Sequence, residues 1–365
     1  MIAAVIWVLF SVVAATACGT GKFQSQAGQG HFPGVSGSGS SGFGSDSSGS
    51  GSSGSGSSGS GSSGSGSSGS GSSGSGSSGS GSSGSGSSGS GVSGPVSAPL
   101  DVVGSPKDNE QTFVRVVIHG KPYTFDVDTG AATSVINSSA ANALGLKKVG
   151  PPSRVQTVGC SSSSQNVLID NWSIAGHRMP ATTIAAFKIQ GAGSKIDGAP
   201  LAGNLGSNVM AKFGVMTIDF RSKRLNLGGP PPPGGQTVPV SAKTINGEVI
   251  VTINIAVHGI NETFALDTGA STTAIDKGTA ASLQLPQTGK PFKVGTLACS
   301  TTVRPVRITN WSAGVVGLPA TQAVASPNGI TNISGGEIVG QLGENVMASF
   351  GSITVDYGGQ TATFG

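Results

Sequence analysis

A long internal repeat constrains the fold of this chain more than any other feature. The motif Asp128-Thr129-Gly130 recurs 139 residues later as Asp267-Thr268-Gly269, and each copy follows an apolar run and precedes an alanine. The same offset relates further pairs: His119 and His258, Cys160 and Cys299, Asn171-Trp172 and Asn310-Trp311, and Pro180-Ala181 and Pro319-Ala320. Two homologous modules therefore occupy residues 96–229 and 236–365. Each is of single-domain size, and together they can enclose one core and one cleft.

The repeated motif supplies two carboxylates from equivalent places. If the two turns face each other, Asp128 and Asp267 share a proton and bind one water, because two carboxylates that close cannot both ionise cheaply. One then acts as an acid and the other as a base. Gly130 and Gly269 permit a tight turn and a close approach of the other module's backbone. A single Asp-Thr-Gly is more typical of a surface turn, but two copies in matching contexts indicate a catalytic pair.

The remaining pattern of both modules predicts β-structure with short helices. Residues 113–118 and 249–257 read as strands, and a His-Gly turn at His119 or His258 leads into the next strand. Ala-rich, Leu-bearing segments predict short helices at 138–146 and 278–285, with others at 206–213 and 343–350 for which Ser207 or Asn208 is available as a cap. Hairpins are predicted at 155–169 and 292–308.

This order of elements resembles the retropepsin-like aspartic proteases over essentially all of both modules. The resemblance implies an all-β, bilobal acid-protease fold, with two pseudo-twofold-related modules forming one active site in a monomer that is an intramolecular pseudo-dimer. It implies that Leu201-Ala202-Gly203 and Ile338-Val339-Gly340 are the family's apolar-apolar-Gly elements beneath the catalytic turns. It also implies that Thr129 and Thr268 donate hydrogen bonds across the interface between the modules.

By the same resemblance, the hairpins around Cys160 and Cys299 are flaps that close over a substrate. Cysteines at equivalent flap positions of an exported protein can form a disulfide. The alternative is two separate thiols that serve as small apolar side chains, and the sequence leaves both open. Neither flap has the tyrosine expected of pepsin-like enzymes, because the only tyrosines are Tyr123 and Tyr357.

The N-terminal segments predict export. Residues 1–17 are apolar or small and end in Ala15-Thr16-Ala17, as a signal peptide does, although no Lys or Arg precedes the apolar stretch. Cys18 follows directly, so the site resembles a lipoprotein box, and anchoring through an N-terminal lipid and full secretion both stay open. Residues 18–95 form a Ser/Gly-rich linker that is predicted to be disordered. A Pro/Gly hinge at 230–235 joins the modules.

Other polar residues receive structural interpretations. Asp219 and Asp356 precede turns, so we expect them to cap those turns, and Asp126 is kept outside the catalytic pair because its repeat counterpart is Ala265. Trp172 and Trp311 are expected in the core. No Cys-x-x-Cys pair occurs and the histidines are scattered, so we expect neither a metal nor a cofactor. The net charge of +4 is small and dispersed, which gives no support to nucleic-acid binding.

These observations predict an aspartic endopeptidase that acts on polypeptides at the cell envelope, at the cell surface or as a secreted protein. The alternative is a non-catalytic peptide-binding or adhesive surface protein that retains the fold. Ala131 and Ala270 follow the motifs and carry no hydroxyl to stabilise an ionised carboxylate. A mildly acidic rather than strongly acidic pH optimum is therefore expected.

Overall fold

A computed structural model describes most of the chain after the Ser/Gly-rich linker. The described residues are 12–14, 94–105, 110–157, 160–327, 332–333 and 336–365, with only the backbone described at 12–14, 332–333 and 336–337. The predicted signal peptide, apart from a three-residue strand, lies outside these residues, as do Cys18 and nearly all of the linker. No described helix has the length and apolar character needed to cross a membrane.

Lobe 1, as we name residues 96–229, is built from short strands with two short helices. Strand β1 (Val12–Ala14) pairs with a strand of this lobe, β7. The elements of the lobe are β2 (Val96–Val103), β3 (Gln111–Ile118), β4 (Lys121–Asp128), β5 (Val135–Asn137), α1 (Ser138–Ala143), β6 (Lys147–Lys148), β7 (Ser153–Thr157), β8 (Cys160–Ile169), β9 (Trp172–Ile174), β10 (His177–Arg178), β11 (Thr182–Phe187), β12 (Lys195–Ile196), β13 (Ala199–Gly206), α2 (Ser207–Met210) with a 3-10 turn (Ala211–Phe213), β14 (Val215–Asp219) and β15 (Arg224–Leu227).

Lobe 2, residues 236–365, repeats this order. Its elements are β16 (Gln236–Ile245), β17 (Glu248–Val257), β18 (Ile260–Leu266), β19 (Ala274–Asp276), α3 (Lys277–Ser282), β20 (Phe292–Gly295), β21 (Ser300–Ile308), β22 (Trp311–Ala313), β23 (Val316–Gly317), β24 (Thr321–Ser326), β25 (Asn332–Ile333), β26 (Gly336–Glu337), β27 (Gly340–Leu342), α4 (Glu344–Met347) with a 3-10 turn (Ala348–Phe350), β28 (Ser352–Asp356) and β29 (Thr361–Phe364). The prediction of an all-β fold with two repeated modules and short helices is confirmed.

The same strand pairing positions the motif in each lobe. In lobe 1, β4 pairs antiparallel with β3 and parallel with β13, and β5 returns beside β13 and β11. In lobe 2, β18 pairs with β17 and with β27, and β19 lies beside β27 and β24. Strand β4 ends at Asp128, and β18 ends one residue before Asp267. Each aspartate therefore lies at the end of a buried strand, where a turn begins.

A six-stranded antiparallel sheet connects the lobes. Its order is β2, β15, β14, β28, β29 and β16, with three strands from each lobe. The hydroxyls of Thr217 and Thr354 lie 2.8 Å apart on the central pair, β14 and β28. Farther from this sheet, Val249 N–H donates to Ala132 O at 3.0 Å and so connects lobe 2 to the loop that follows the first motif. The sheet and this contact hold the two lobes in a fixed register.

The core is continuous across the two lobes. Trp172 and Trp311 are buried in it, and each indole N–H donates to the carbonyl of a proline eight residues later, at 2.8 and 2.9 Å. Their predicted core role is confirmed. His119 and His258 lie in the turns between paired strands, as the His-Gly pattern predicted, and adopt positive φ values of 48° and 52°. Among residues other than glycine, histidine, asparagine and aspartate adopt positive φ most often.

Two predictions about helix and turn capping had different outcomes. Asp219 Oδ1 accepts from Ser222 N–H at 2.9 Å, and Asp356 Oδ1 accepts from Gly359 N–H at 2.7 Å, so both carboxylates cap turns as predicted. The prediction that Ser207 or Asn208 caps the helix at 206–213 is wrong, because α2 begins after Gly206 with no side-chain cap. The two side chains instead bind the motif loop of their own lobe.

Candidate active site

Reciprocal hydrogen bonds join the two Asp-Thr-Gly turns. Thr129 N–H donates to Thr268 Oγ1 at 3.0 Å, and Thr268 N–H donates to Thr129 Oγ1 at 3.1 Å. Each hydroxyl donates in turn to the other lobe, Thr129 to Leu266 O at 2.6 Å and Thr268 to Val127 O at 2.7 Å. Both threonines are fully buried. Four hydrogen bonds in a dry environment therefore fix one turn against the other. The two threonines donate across the interface, as the family resemblance implied.

The two carboxylates lie beneath this junction and are fully buried. Ala131 N–H donates to Asp128 Oδ1 at 2.8 Å, and Gly269 N–H donates to Asp267 Oδ1 at 3.0 Å. Gly269 also lies directly against the other lobe's aspartate, since a β-carbon built on it would be 2.6 Å from Asp128 Oδ2. Any side chain at this position would collide with the carboxylate. Its counterpart Gly130 is half-buried in the first turn.

Two amide side chains also donate to the carboxylates. Asn204 Nδ2 donates to Asp128 Oδ2, and Gln341 Nε2 donates to Asp267 Oδ2. Both amides are buried and occupy repeat-equivalent positions on β13 and β27. Sequence reasoning missed them. The available signal was a pair of polar residues at equivalent positions inside otherwise apolar strands.

The predicted apolar-apolar-Gly elements are displaced by three residues. Gly206 lies against the first motif loop, and a β-carbon built on it would be 2.8 Å from Ala131 O. Gly343 lies against the second motif loop, and a β-carbon built on it would be 2.7 Å from Ala270 O. Gly203 and Gly340 instead pack against β5 and β19 of their own lobes. The assignment of Leu201-Ala202-Gly203 and Ile338-Val339-Gly340 is therefore wrong. The correct elements begin with an amide residue because that position faces a carboxylate.

A family model described as aspartyl protease matches the chain twice, over residues 114–209 and 251–346. The chain belongs to the aspartyl protease family. Each match contains one Asp-Thr-Gly turn and the strand that carries its amide partner. The predicted retropepsin-like family and the two fused modules are confirmed. A comparison with curated protein sequences gave no match.

Two further acids lie close to the carboxylate pair in this family member. Asp126 is fully buried, and its pKa is raised well above the ordinary value, first by burial and then by the charges of Asp128 and Glu344. Burial also raises the pKa of Glu344 well above its ordinary value, with Thr112 Oγ1 donating to Glu344 Oε1 at 2.5 Å. Gln111 Nε2 donates to Asp126 Oδ2 at 3.0 Å. Burial therefore favours the neutral form of both acids.

The two hairpins predicted as flaps meet at their tips. These are the β7–β8 and β20–β21 hairpins, and the structure joins them by a disulfide between Cys160 and Cys299, whose Cα atoms are 6.5 Å apart. Leu297 of lobe 2 is fully buried in a cluster that contains Val155 and Phe187 of lobe 1. The flap of lobe 2 is thus connected to lobe 1 both by a covalent bond and by apolar packing.

A cleft lies at the edge of this arrangement. Its volume is about 350 Å³, and it runs between the lobe 1 flap strand and the β16–β17 turn of lobe 2. Thr133 of the motif loop, Arg154 and Val155 of the flap, and Glu248 of lobe 2 line it. Within the described part of the chain, no group of three or more His, Cys, Asp or Glu side chains could hold a metal ion.

Proposed function

We propose that this chain is an aspartic endopeptidase that hydrolyses peptide bonds with one water activated by Asp128 and Asp267. The observation that carries the proposal is the reciprocal threonine hydrogen bonding, which fixes the two turns so that Gly269 of one lobe touches the carboxylate of the other. This arrangement supports two carboxylates acting on one water. Neither lobe alone supplies both groups.

The proposed chemistry needs one proton on the pair. The ionised carboxylate takes a proton from the water as the water oxygen attacks the carbonyl carbon of the peptide. The protonated carboxylate donates its proton to the carbonyl oxygen, which gives a neutral tetrahedral diol. The carboxyl that now holds the proton donates it to the amide nitrogen, and the other carboxylate takes a proton from a hydroxyl of the diol. The C–N bond breaks to give a carboxylic acid and an amine, and the pair ends with the one proton that it had at the start. Burial of both aspartates keeps bulk water from screening these transfers.

The proposed substrate is an extended segment of polypeptide. Flap strands offer backbone donors and acceptors for strand-like pairing, and the cleft of about 350 Å³ beside the motif loop has room for one or more side chains. We place this cleft at one end of the binding site, because Thr133 in its wall follows the catalytic turn in the chain. The substrate thus runs between the flaps and the motif loops.

A peptide-binding protein without catalysis is the second candidate. The disulfide between the flaps favours it, since a covalently closed roof suits retention of a bound segment better than rapid exchange of substrates. Such a protein would bind peptides through the same cleft and leave them intact.

Export and attachment at the envelope are also part of the proposal and rest on the N-terminal sequence. The apolar residues 1–17 and the cysteine that follows support signal-peptide cleavage before Cys18, with a lipid on that residue or with release of the protein. Mass spectrometry of the mature N-terminus separates these outcomes. A lipid mass on Cys18 indicates anchoring, an unmodified Cys18 terminus indicates secretion, and an intact Met1 terminus contradicts export by cleavage.

The experiment is incubation of the full chain with a peptide library, with and without a statine-type inhibitor that mimics the tetrahedral intermediate. Cleavage that the inhibitor blocks is expected for the wild type. Asp128→Asn and Asp267→Asn are each expected to lower kcat/KM by on the order of 10³-fold, because each removes half of the proton-sharing pair. Peptides that bind without cleavage would support the second candidate instead.

The matched controls are Asp219→Asn and Asp356→Asn. This is also a repeat-related pair of carboxylates, and asparagine keeps the oxygen that accepts the turn N–H. Activity close to that of the wild type is expected. Near-full activity in either Asp128→Asn or Asp267→Asn would contradict the proposed mechanism.

A further inference from the structure

The two amide residues that face the carboxylates suggest a further role in the site. Asn204 and Gln341 occupy equivalent positions, each between a glycine and a leucine of a buried strand. The leucine that follows each amide is fully buried, so both amides lie in an apolar part of their strand. Both lobes nevertheless place one there, with side chains of different length.

In both lobes, the two oxygens of the motif carboxylate accept hydrogen bonds from different kinds of donor. Oδ1 accepts a backbone N–H of the motif turn, from Ala131 for Asp128 and from Gly269 for Asp267. Oδ2 accepts the side-chain amide from the adjacent strand. An ionised carboxylate only accepts hydrogen bonds, so an amide nitrogen suits its second oxygen. Each aspartate is thereby fixed in rotation by two donors of its own lobe.

We propose that Asn204 and Gln341 are positioning residues that orient the two carboxylates and stabilise their ionised forms, so that the pair remains active at lower pH than its motif residues alone would allow. The inference rests on the proposed catalytic role of Asp128 and Asp267. It assigns to the adjacent strands the side-chain donors that Ala131 and Ala270 cannot supply. The mildly acidic optimum expected from those alanines is therefore shifted towards more acidic pH.

Gln341 lowers the stability of the folded state, and this supports a functional reason for its presence. Gln341 Oε1 is buried and has no hydrogen-bond partner among the described residues. A buried acceptor without a partner destabilises the folded state, whereas an apolar side chain of similar size would not. The amide is retained although it weakens folding, which is expected if its N–H group serves Asp267.

Four other ionisable groups interact with the pair or with its neighbours. Asp126 on β4, Glu344 on α4 and Tyr357 after β28 interact electrostatically with the two aspartates, and Glu110 interacts with Glu344. The pKa of each of these four groups is raised by burial. Burial therefore favours the neutral form of all four groups, and the amide variants leave all four in place. A difference in the acid limb between the wild type and a variant thus reports on the pair and its amide donors.

The test replaces each amide by an apolar side chain of similar shape, as Asn204→Leu and Gln341→Met. The logarithm of kcat/KM is measured against pH for the full chain. The midpoint of the acid limb is expected to rise by about one pH unit in each variant, because a hydrogen bond to the ionised form has been removed. Asn254→Leu, which removes a solvent-exposed amide on β17, is the control and should leave the midpoint unchanged.

A second measurement does not require catalysis. Carbon-13 NMR of the Asp carboxyl groups follows the titration of the pair in the wild type and in both variants, with Asp128→Asn and Asp267→Asn for assignment. The same upward shift of the pair's lowest midpoint is expected. If the wild type cleaves no peptide but this shift occurs, the proposed function fails while the role of the amides stands. Unchanged midpoints in folded variants would overturn the inference.

If Asn204→Leu does not fold, Asn204→Ser fits the same space and keeps a hydroxyl near the carboxylate. Its midpoint is then expected between those of the wild type and Gln341→Met. A midpoint at or below that of the wild type would overturn the inference for lobe 1.

Discussion

The two lobes share their Asp-Thr-Gly turns but differ in the residues behind them. Both contain the Asp-Thr-Gly turn, the reciprocal threonine contacts and an amide donor. Lobe 1 alone has a buried acid two residues before its motif aspartate, Asp126, where lobe 2 has Ala265. Lobe 2 alone has a buried acid on the helix that follows its amide strand, Glu344, where lobe 1 has Ser207.

In the proposed mechanism, this difference separates the groups that both lobes supply from the acids that only one lobe supplies. The repeated groups touch the two carboxylates directly. The unrepeated acids lie around them and give the two aspartates different electrostatic surroundings. Asp126 interacts with both Asp128 and Asp267, whereas Glu344 interacts with Asp267. In the proposed mechanism, a pair with unequal surroundings shares its proton unequally, and this gives the acid and the base distinct positions.

The largest expected effect concerns the disulfide, which joins the lobes through two cysteines that are 139 residues apart in the sequence. The double variant Cys160→Ser, Cys299→Ser is expected to lower the free energy of unfolding by about 5 kcal/mol, because a loop of this length is no longer closed in the unfolded chain. Peptide cleavage should become faster, since the flaps can separate. Urea unfolding and kcat/KM are the measurements.

Reduction of the wild type should reproduce both changes and leave the double variant unaffected. The single variant Cys18→Ser is the matched control, because it removes the remaining cysteine of the sequence. Two free thiols at positions 160 and 299 in the unreduced protein would contradict the account of the flaps.

An intermediate effect is expected when the shared threonine contacts are removed from one lobe at a time. Thr129→Val and Thr268→Val each remove a buried hydroxyl donor and leave the partner's backbone N–H without an acceptor. Each is expected to cost about 3 kcal/mol of unfolding free energy. Because this part of the site is symmetric, the two costs should agree closely, and a large inequality would show that the lobes do not contribute equally.

A smaller effect that depends on pH is expected from the unrepeated acids. The raised pKa of Asp126 means that its protonated form is favoured by folding, so stability is greatest below its ordinary value of 3.8 and falls as pH rises towards the raised value. Over that window each such group lowers the free energy of unfolding by about 1.4 kcal/mol per pH unit. Asp126→Asn and Glu344→Gln should each reduce this slope by one group.

Urea unfolding at increasing pH, starting just above the ordinary pKa values of 3.8 and 4.5, measures the slope. Ala265→Ser, a polar change at the counterpart of Asp126 that adds no titratable group, should leave it as in the wild type. If Asp126→Asn keeps the full slope, Asp126 is not held in its neutral form and the electrostatic difference between the lobes is wrong.

Most of the architecture was predictable because the repeat and the β-pattern are local signals. The two turns, the short helices, the hairpins and the turn-capping Asp219 and Asp356 follow from residue order and turn chemistry. The pairing of the two turns followed from the family resemblance, since sequence distance alone does not say which turns face each other.

The details behind the turns were not predictable for physical reasons. Two glycines three residues apart, Gly203 and Gly206, both follow apolar residues, and only packing shows which of them lies against the motif loop. Ser207 is a typical helix-capping residue, but it donates to Thr129 O instead because the motif loop lies beside the helix. An acid in a strand, such as Asp126, normally indicates solvent exposure, and its burial depends on contacts from distant residues.

The central claim is that one chain contributes both carboxylates to a single site. The most direct test mixes full-length Asp128→Asn with full-length Asp267→Asn and measures peptide cleavage after co-refolding. Two lobes that pair within each chain leave every site with one asparagine, so the mixture should be as inactive as either variant alone. Recovery of about a quarter of wild-type activity, as random pairing between chains in an equal mixture would give, would contradict the claim.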